Sequence, residues 1–136
     1  MKSLFWVLAE IILVFVLLSI PGSQLPHTDA WWKILPVDKL VHIVLFGSLM
    51  YSFLFYYHQT KHGFLKTIRA KAFTMLFCIV YGIAMEFYQK YFVPSRGFEV
   101  ADMLADAFGV LAALPIYQTI HKRNKYNGHR TRYTAI

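Results

Sequence analysis

The stretch Tyr81–Gly109 reads YGIAMEFYQKYFVPSRGFEVADMLADAFG, and the remainder of the chain is arranged to hold it. Glu86 and Gln89 lie one helical turn apart near the end of an apolar helix. Arg96 and Gly97 form a short polar turn. Glu99, Asp102 and Asp106 then follow at spacings of three and four, which puts all three carboxylates on one face of the next helix. Both flanking helices are otherwise apolar enough to cross a bilayer. Ionisable groups at that depth are costly and mark a functional site by default.

The composition supports a membrane setting. Of 136 residues, 57% are hydrophobic and 15% charged, whereas a soluble domain is nearer half apolar and a quarter charged. The apolar excess falls into four long runs, so the expected fold is all-α: a four-helix transmembrane bundle with both termini cytoplasmic. Residues 1–120 form the four-span membrane domain and 121–136 a basic cytoplasmic tail. The expected location is the inner (plasma) membrane of a bacterium, with several passes.

A net charge of +7 and a pI near 9.6 raise nucleic acid as a partner. The distribution argues against it. Lys2, the segment from Lys61 to Lys71 and the tail from Lys122 to Arg132 carry ten of the fourteen Lys and Arg residues. A four-span topology puts all three on one side, the positive-inside pattern, and this accounts for the basicity without nucleic acid. The one cysteine, Cys78, lies inside an apolar run and reads as a packing thiol.

The first span covers about Leu4 to Ile20 and is expected to be retained rather than cleaved as a signal peptide. Glu10 within it reads as a carboxyl bonded to a neighbouring helix. Pro21, Gly22 and Pro26 end that helix. Trp31 and Trp32 suit the headgroup level. The second span begins at Asp38 or Lys39, with Asp38 as its N-cap. Asp38 and His42, at i and i+4, face the same way, as an orienting partner and a base do. Tyr51, Phe53, Tyr56 and Tyr57 look like an interfacial belt at its far end. The third span runs from about Ala72 to Tyr91 and the fourth from Glu99 to Ile120. In the fourth, Ala105, Gly109 and Ala113 form a seam of small residues for close helix packing. The tail is expected to be flexible and adsorbed to the inner leaflet.

With both termini inside, three helices bring His42, Glu86, Gln89, Asp102 and Asp106 to one depth near the outer side, beneath a turn containing Arg96. A histidine among carboxylates performs acid–base work. A guanidinium fork suits a phosphate or carboxylate. His42, Glu86 and Asp102 also offer nitrogen and oxygen ligands to a divalent cation, but no compact metal motif is present and the site is read as metal-free. The residues assign no cofactor and no oligomeric state.

Taken in order, these residues resemble the VanZ-like family of small bacterial membrane proteins. The resemblance rests on Ser19-x-Pro21, Asp38-Lys39-x-x-His42 with Phe46, Glu86-x-x-Gln89, Arg96, Asp102 and Asp106-x-x-Gly109, and it covers roughly Leu4 to Pro115. Two positions depart from the family's pattern. Asn is more usual at position 106, and a second glycine often follows Gly109 where this chain has Ala112 and Ala113. The resemblance implies an integral membrane protein of bacteria whose founding relative is associated with teicoplanin resistance; it implies no agreed reaction.

Two functions are open at this point. In the first, an enzyme acts on a membrane lipid or lipid-linked envelope precursor. His42 is acid or base, oriented by Asp38; Glu86 and Asp102 are paired carboxylates; and Arg96, Gln89, Lys39 and Asp106 contact the substrate. In the second, a non-enzymatic protein binds lipid or modulates glycopeptide action. A purely structural polar network is the alternative to both.

Overall fold

The computed structural model describes residues 2–24, 37–60 and 67–133, with side chains from 4 to 121 within those ranges. Four helices account for nearly all of it: α1 (Lys2–Leu18), α2 (Val37–Gln59), α3 (Ile68–Phe92) and α4 (Val100–Tyr133). The expectations for Trp31, Trp32 and the loop from Lys61 to Lys66 lie outside the described residues.

Local sequence explains the helix ends. Thr67 caps α3, its hydroxyl accepting from the Ala70 amide at 3.3 Å, which satisfies one of the orphan donors of the first turn. The expected N-cap, Asp38, lies instead inside the first turn of α2, where its charge still complements the positive helix end. Between α3 and α4 the chain turns at Ser95, a non-glycine residue with φ of 60°; Gly97, expected to shape this turn, has no positive φ. The turn is pinned beneath the end of α1, because the Gly22 amide donates to the Pro94 carbonyl at 3.1 Å.

The helices alternate in direction. Gln89 near the end of α3 reaches the Leu18 carbonyl at the end of α1. The start of α2 meets the start of α4 through Lys39 and Glu99. At the other end, Tyr57 of α2 bonds Thr74 of α3, and the His58 and His121 rings lie edge to face, 4.7 Å apart. One end therefore gathers the acids of α2, α3 and α4 (the site end). The opposite end carries Arg69 and Lys71 (the basic end).

The centre is apolar and tightly packed. Val14, Leu18, Phe46, Leu49, Met50, Cys78, Val110 and Ala113 are buried together. The outer surface is also apolar, with Phe73, Leu104 and Phe108 among many exposed large side chains, as lipid-facing helices require. Among the described residues, three helices are long and apolar enough to cross a membrane: α2, α3 and the part of α4 from Val100 to His121. The apolar part of α1, Leu4–Leu18, is shorter. At 1.5 Å per residue the 17 residues of α1 reach ~26 Å, a few ångströms less than a typical hydrocarbon core.

Of three further local expectations, one is corrected and two hold. Tyr57 is not part of an interfacial belt: it is buried, because Thr74 offers its hydroxyl a partner inside the bundle. The fourth span ends where expected, its apolar part running from Val100 to His121, while α4 itself continues beyond it to Tyr133. Glu10 behaves as expected, accepting from Ser48 of α2.

α2 and α4 share the most extensive interface, and the seam of small residues lies in it. Ala105 and Ala113 are buried. At Gly109 the helix backbones nearly touch: a Cβ there would lie 2.3 Å from the Ile43 carbonyl oxygen, a backbone atom that only helix separation can move. Gly109→Ala is therefore expected to lower stability in detergent by about 1–3 kcal/mol, the usual cost of overpacking. Leu111→Ala, on the exposed face, is the control. Thermal unfolding of both variants checks this, and equal midpoints would contradict it.

Candidate functional site

The close approach of α2 and α4 sets the register between their polar residues. His42, the residue before Ile43, faces Asp106, one turn before Gly109, with Nδ1 2.9 Å from Oδ1. Both side chains are essentially inaccessible, at 0% and 1%. A turn nearer the site end, Lys39 Nζ donates to Asp102 Oδ1 at 2.8 Å and to Glu99 Oε2 at 2.7 Å. Beside them Arg96 Nη1 donates to Asp38 Oδ1 at 2.8 Å. The cluster grades from exposed Glu99, through half-buried Lys39 and Asp38, to sealed His42, Glu86 and Asp106.

Glu86 enters from α3. Its Oε2 accepts from the Glu99 backbone amide at 3.0 Å. Glu99 immediately precedes α4, and its carbonyl accepts from the amides of Asp102 and Met103. Glu86 thus ties the end of one membrane helix to the start of the next, at the end of α4 where a helix dipole favours negative charge.

Seven of the eight expected site residues come together: Asp38, Lys39, His42, Glu86, Arg96, Asp102 and Asp106. The pairing differs from the expected one. His42 is bonded by Asp106 of α4 rather than oriented by Asp38, which holds Arg96. Position i+4 puts two residues on one helix face but does not say which neighbouring helix each meets. Gln89 does not join the cluster: its amide donates to the Leu18 carbonyl at 3.0 Å, satisfying an acceptor at the end of α1.

Sequence reading missed Gly82. A Cβ at this position of α3 would lie 2.6 Å from Asp106 Oδ2, so the glycine makes room for that carboxyl group. The available signal was a glycine one turn before Glu86 within an apolar helix.

Two features show what this arrangement can do. Five carboxyl groups (Asp38, Glu86, Glu99, Asp102 and Asp106) meet two permanent cations, Lys39 and Arg96. Glu99 and Asp38 keep part of their hydration, but the buried carboxyl groups of Glu86 and Asp106 contact neither cation, and a negative charge buried in that way needs a proton or a further cation. In addition, four buried polar atoms of the cluster have no partner among the described residues: His42 Nε2, Glu86 Oε1, Asp106 Oδ2 and Arg96 Nε. Leaving such an atom unsatisfied costs about 1–3 kcal/mol, whereas a polar pair between membrane helices gains only about 0.6 kcal/mol on average. With Asp106 ionised, the proton of a neutral His42 resides on Nδ1 and Nε2 presents its lone pair.

The family model described as VanZ/LLP1 matches residues 4–121. The chain belongs to this family. The match spans all four helices and every residue of the cluster, and with three long apolar helices it identifies a multi-pass membrane protein. No curated protein and no solved structure matches the chain.

The His42–Asp106 contact predicts strong coupling. His42→Ala and Asp106→Ala should be non-additive in unfolding free energy, with an interaction term of about 0.5–3 kcal/mol. Asp38→Ala combined with His42→Ala should be closer to additive. A double-mutant cycle by thermal or denaturant unfolding measures both. Coupling to Asp38 as large as that to Asp106 would contradict the observed pairing.

Proposed function

We propose that this VanZ/LLP1 family protein lies in the bacterial inner membrane with both termini cytoplasmic, and that its polar cluster acts at the outer face on a lipid or lipid-linked cell-envelope precursor by hydrolysis or group transfer. The observation that carries this reading is His42: one nitrogen is held by a buried carboxyl group, and the other is buried without a partner. A histidine held in this way is the usual form of an acid–base catalyst.

His42 Nε2 exchanges the proton with the substrate or an attacking water. Asp106 positions the ring and stabilises its charged form. Glu86 and Asp102 are the further carboxylates beside it. Lys39 and Arg96 supply positive charge for an anionic head, with Lys39 the more accessible of the two. The orientation rests on charge. Arg69 and Lys71 of the basic end continue the run from Lys61, and the positive-inside rule puts that end in the cytoplasm, leaving the site end outside. Envelope precursors with anionic heads are exposed on that side, which fits the association of VanZ-like proteins with teicoplanin resistance.

A second reading, recognition of a headgroup without turnover, draws on one specific observation. Lys39, Arg96, Asp38 and Asp102 are all bonded within the protein, as in a preformed binding surface.

The test compares turnover with folding. His42→Ala and Glu86→Gln should each lower conversion of lipid-linked substrates by at least about a hundredfold, the lower end of acid–base contributions, while the variants still accumulate in membranes. Loss of folded protein in both would contradict the reading and favour a structural network. Wild-type lipid affinity with no turnover favours recognition. Topology has its own check. Gly97 has open space around it, so Gly97→Cys in a Cys78→Ala background should react with an impermeant thiol reagent in intact cells. Labelling only after the inner face is exposed would overturn the outer placement.

A further inference from the structure

The unsatisfied atoms and the charge excess lead to a more specific ligand. We propose that Asp38, His42 and Asp102 bind a divalent metal cation. It rests, as the proposed function does, on the cluster being a ligand site; a cation on His42 Nε2 takes the lone pair that the acid–base reading uses, so in the metal-bound protein the proton carrier is Glu86 rather than His42.

A ring nitrogen of His42, a carboxylate oxygen of Asp38 and one of Asp102 all lie within 4.8 Å of one another. Opposite ligands of a cation bonded at ~2.1 Å are ~4.2 Å apart, so small side-chain shifts close the set. Each donor is already oriented by a second contact. Arg96 holds Asp38 Oδ1 and Lys39 holds Asp102 Oδ1, which leaves the second oxygen of each carboxylate for ligation. Asp106 holds His42 Nδ1, leaving Nε2, which is buried and has no protein partner. A carboxylate on the far nitrogen of a histidine is the usual support for a metal-binding imidazole, fixing its tautomer and raising its basicity.

Charge favours the same ligand. Lys39 and Arg96 repel a cation, but the carboxyl groups of the cluster outnumber them five to two, and a divalent ion offsets part of that excess. An anion would raise it. One imidazole with two carboxylates suits Mn²⁺ or Zn²⁺ better than a soft ion such as Cu(I). Asp38 lies on the open side of the cluster, partly exposed, with Asp102 buried behind it, so the ion enters past Asp38.

The experiment uses the full chain in nanodiscs, stripped with chelator and titrated with Mn²⁺. Electron paramagnetic resonance follows the free ion. The expected result is saturation at one Mn²⁺ per chain, with competition by Zn²⁺. Asp38→Asn and Asp102→Asn should each weaken binding by more than about tenfold. Asp106→Asn, acting through His42, should weaken it by about ten- to a hundredfold. Glu10→Gln should leave it unchanged. Asp38 is partly exposed, so Asp38→Asn remains informative if Asp102→Asn fails to fold. Absence of saturable Mn²⁺ and Zn²⁺ binding, or wild-type affinity in Asp38→Asn, overturns the proposal. A stripped protein that converts lipid without taking up metal overturns the cation and leaves the reaction standing. Metal uptake with no lipid turnover sustains the cation and removes the reaction.

Discussion

The contact between the backbones of α2 and α4 at Ile43 and Gly109 is the constraint on which the rest depends. These two helices run in the same direction, and the missing Cβ lets them approach closely. Their polar residues consequently meet in register: Lys39 with Glu99 and Asp102, then His42 with Asp106. A larger residue at 109 would separate the helices and draw apart those pairs. Lipid supplies no hydrophobic drive to push helices together, so close backbone packing has to do so.

The second constraint is the junction between α3 and α4. Glu86 holds the amide just before α4, Gly22 anchors the intervening turn to α1, and Arg96 reaches from that turn to Asp38. The turn thereby closes over the cluster from the side of α3. Gly82 extends the same logic inward by leaving space for the Asp106 carboxyl group. The result is a buried polar group of residues that satisfies its outer members and leaves its innermost atoms without partners. A network in that condition is costly unless something else completes it.

Much of this was legible in the sequence. Four apolar runs gave four helices, and the spacing of Glu99, Asp102 and Asp106 put the acids on one face. The seam at Ala105, Gly109 and Ala113 was visible from its period of four. The partner of His42 was not. Periodicity fixes the face of a residue on its own helix, but the meeting of Asp106 with His42 depends on the rotation and register of a second helix. Tyr57 was misread for a related reason, because its burial depends on Thr74, which the sequence does not place beside it. Gln89 shares the face of Glu86, yet the end of α1 lies nearer and takes its amide.

The central claim is that the innermost polar atoms serve a ligand rather than the fold. An experimental structure of the protein in lipid, at a resolution that resolves ordered solvent, tests it most directly. The account predicts a non-protein atom (an ion, a water or a headgroup oxygen) in bonding contact with His42 Nε2. Its path should lead past Asp38 and Lys39 to the surface. If Nε2 instead contacts only apolar atoms, or an acceptor of the chain itself, the cluster is a stabilising network and the claim fails.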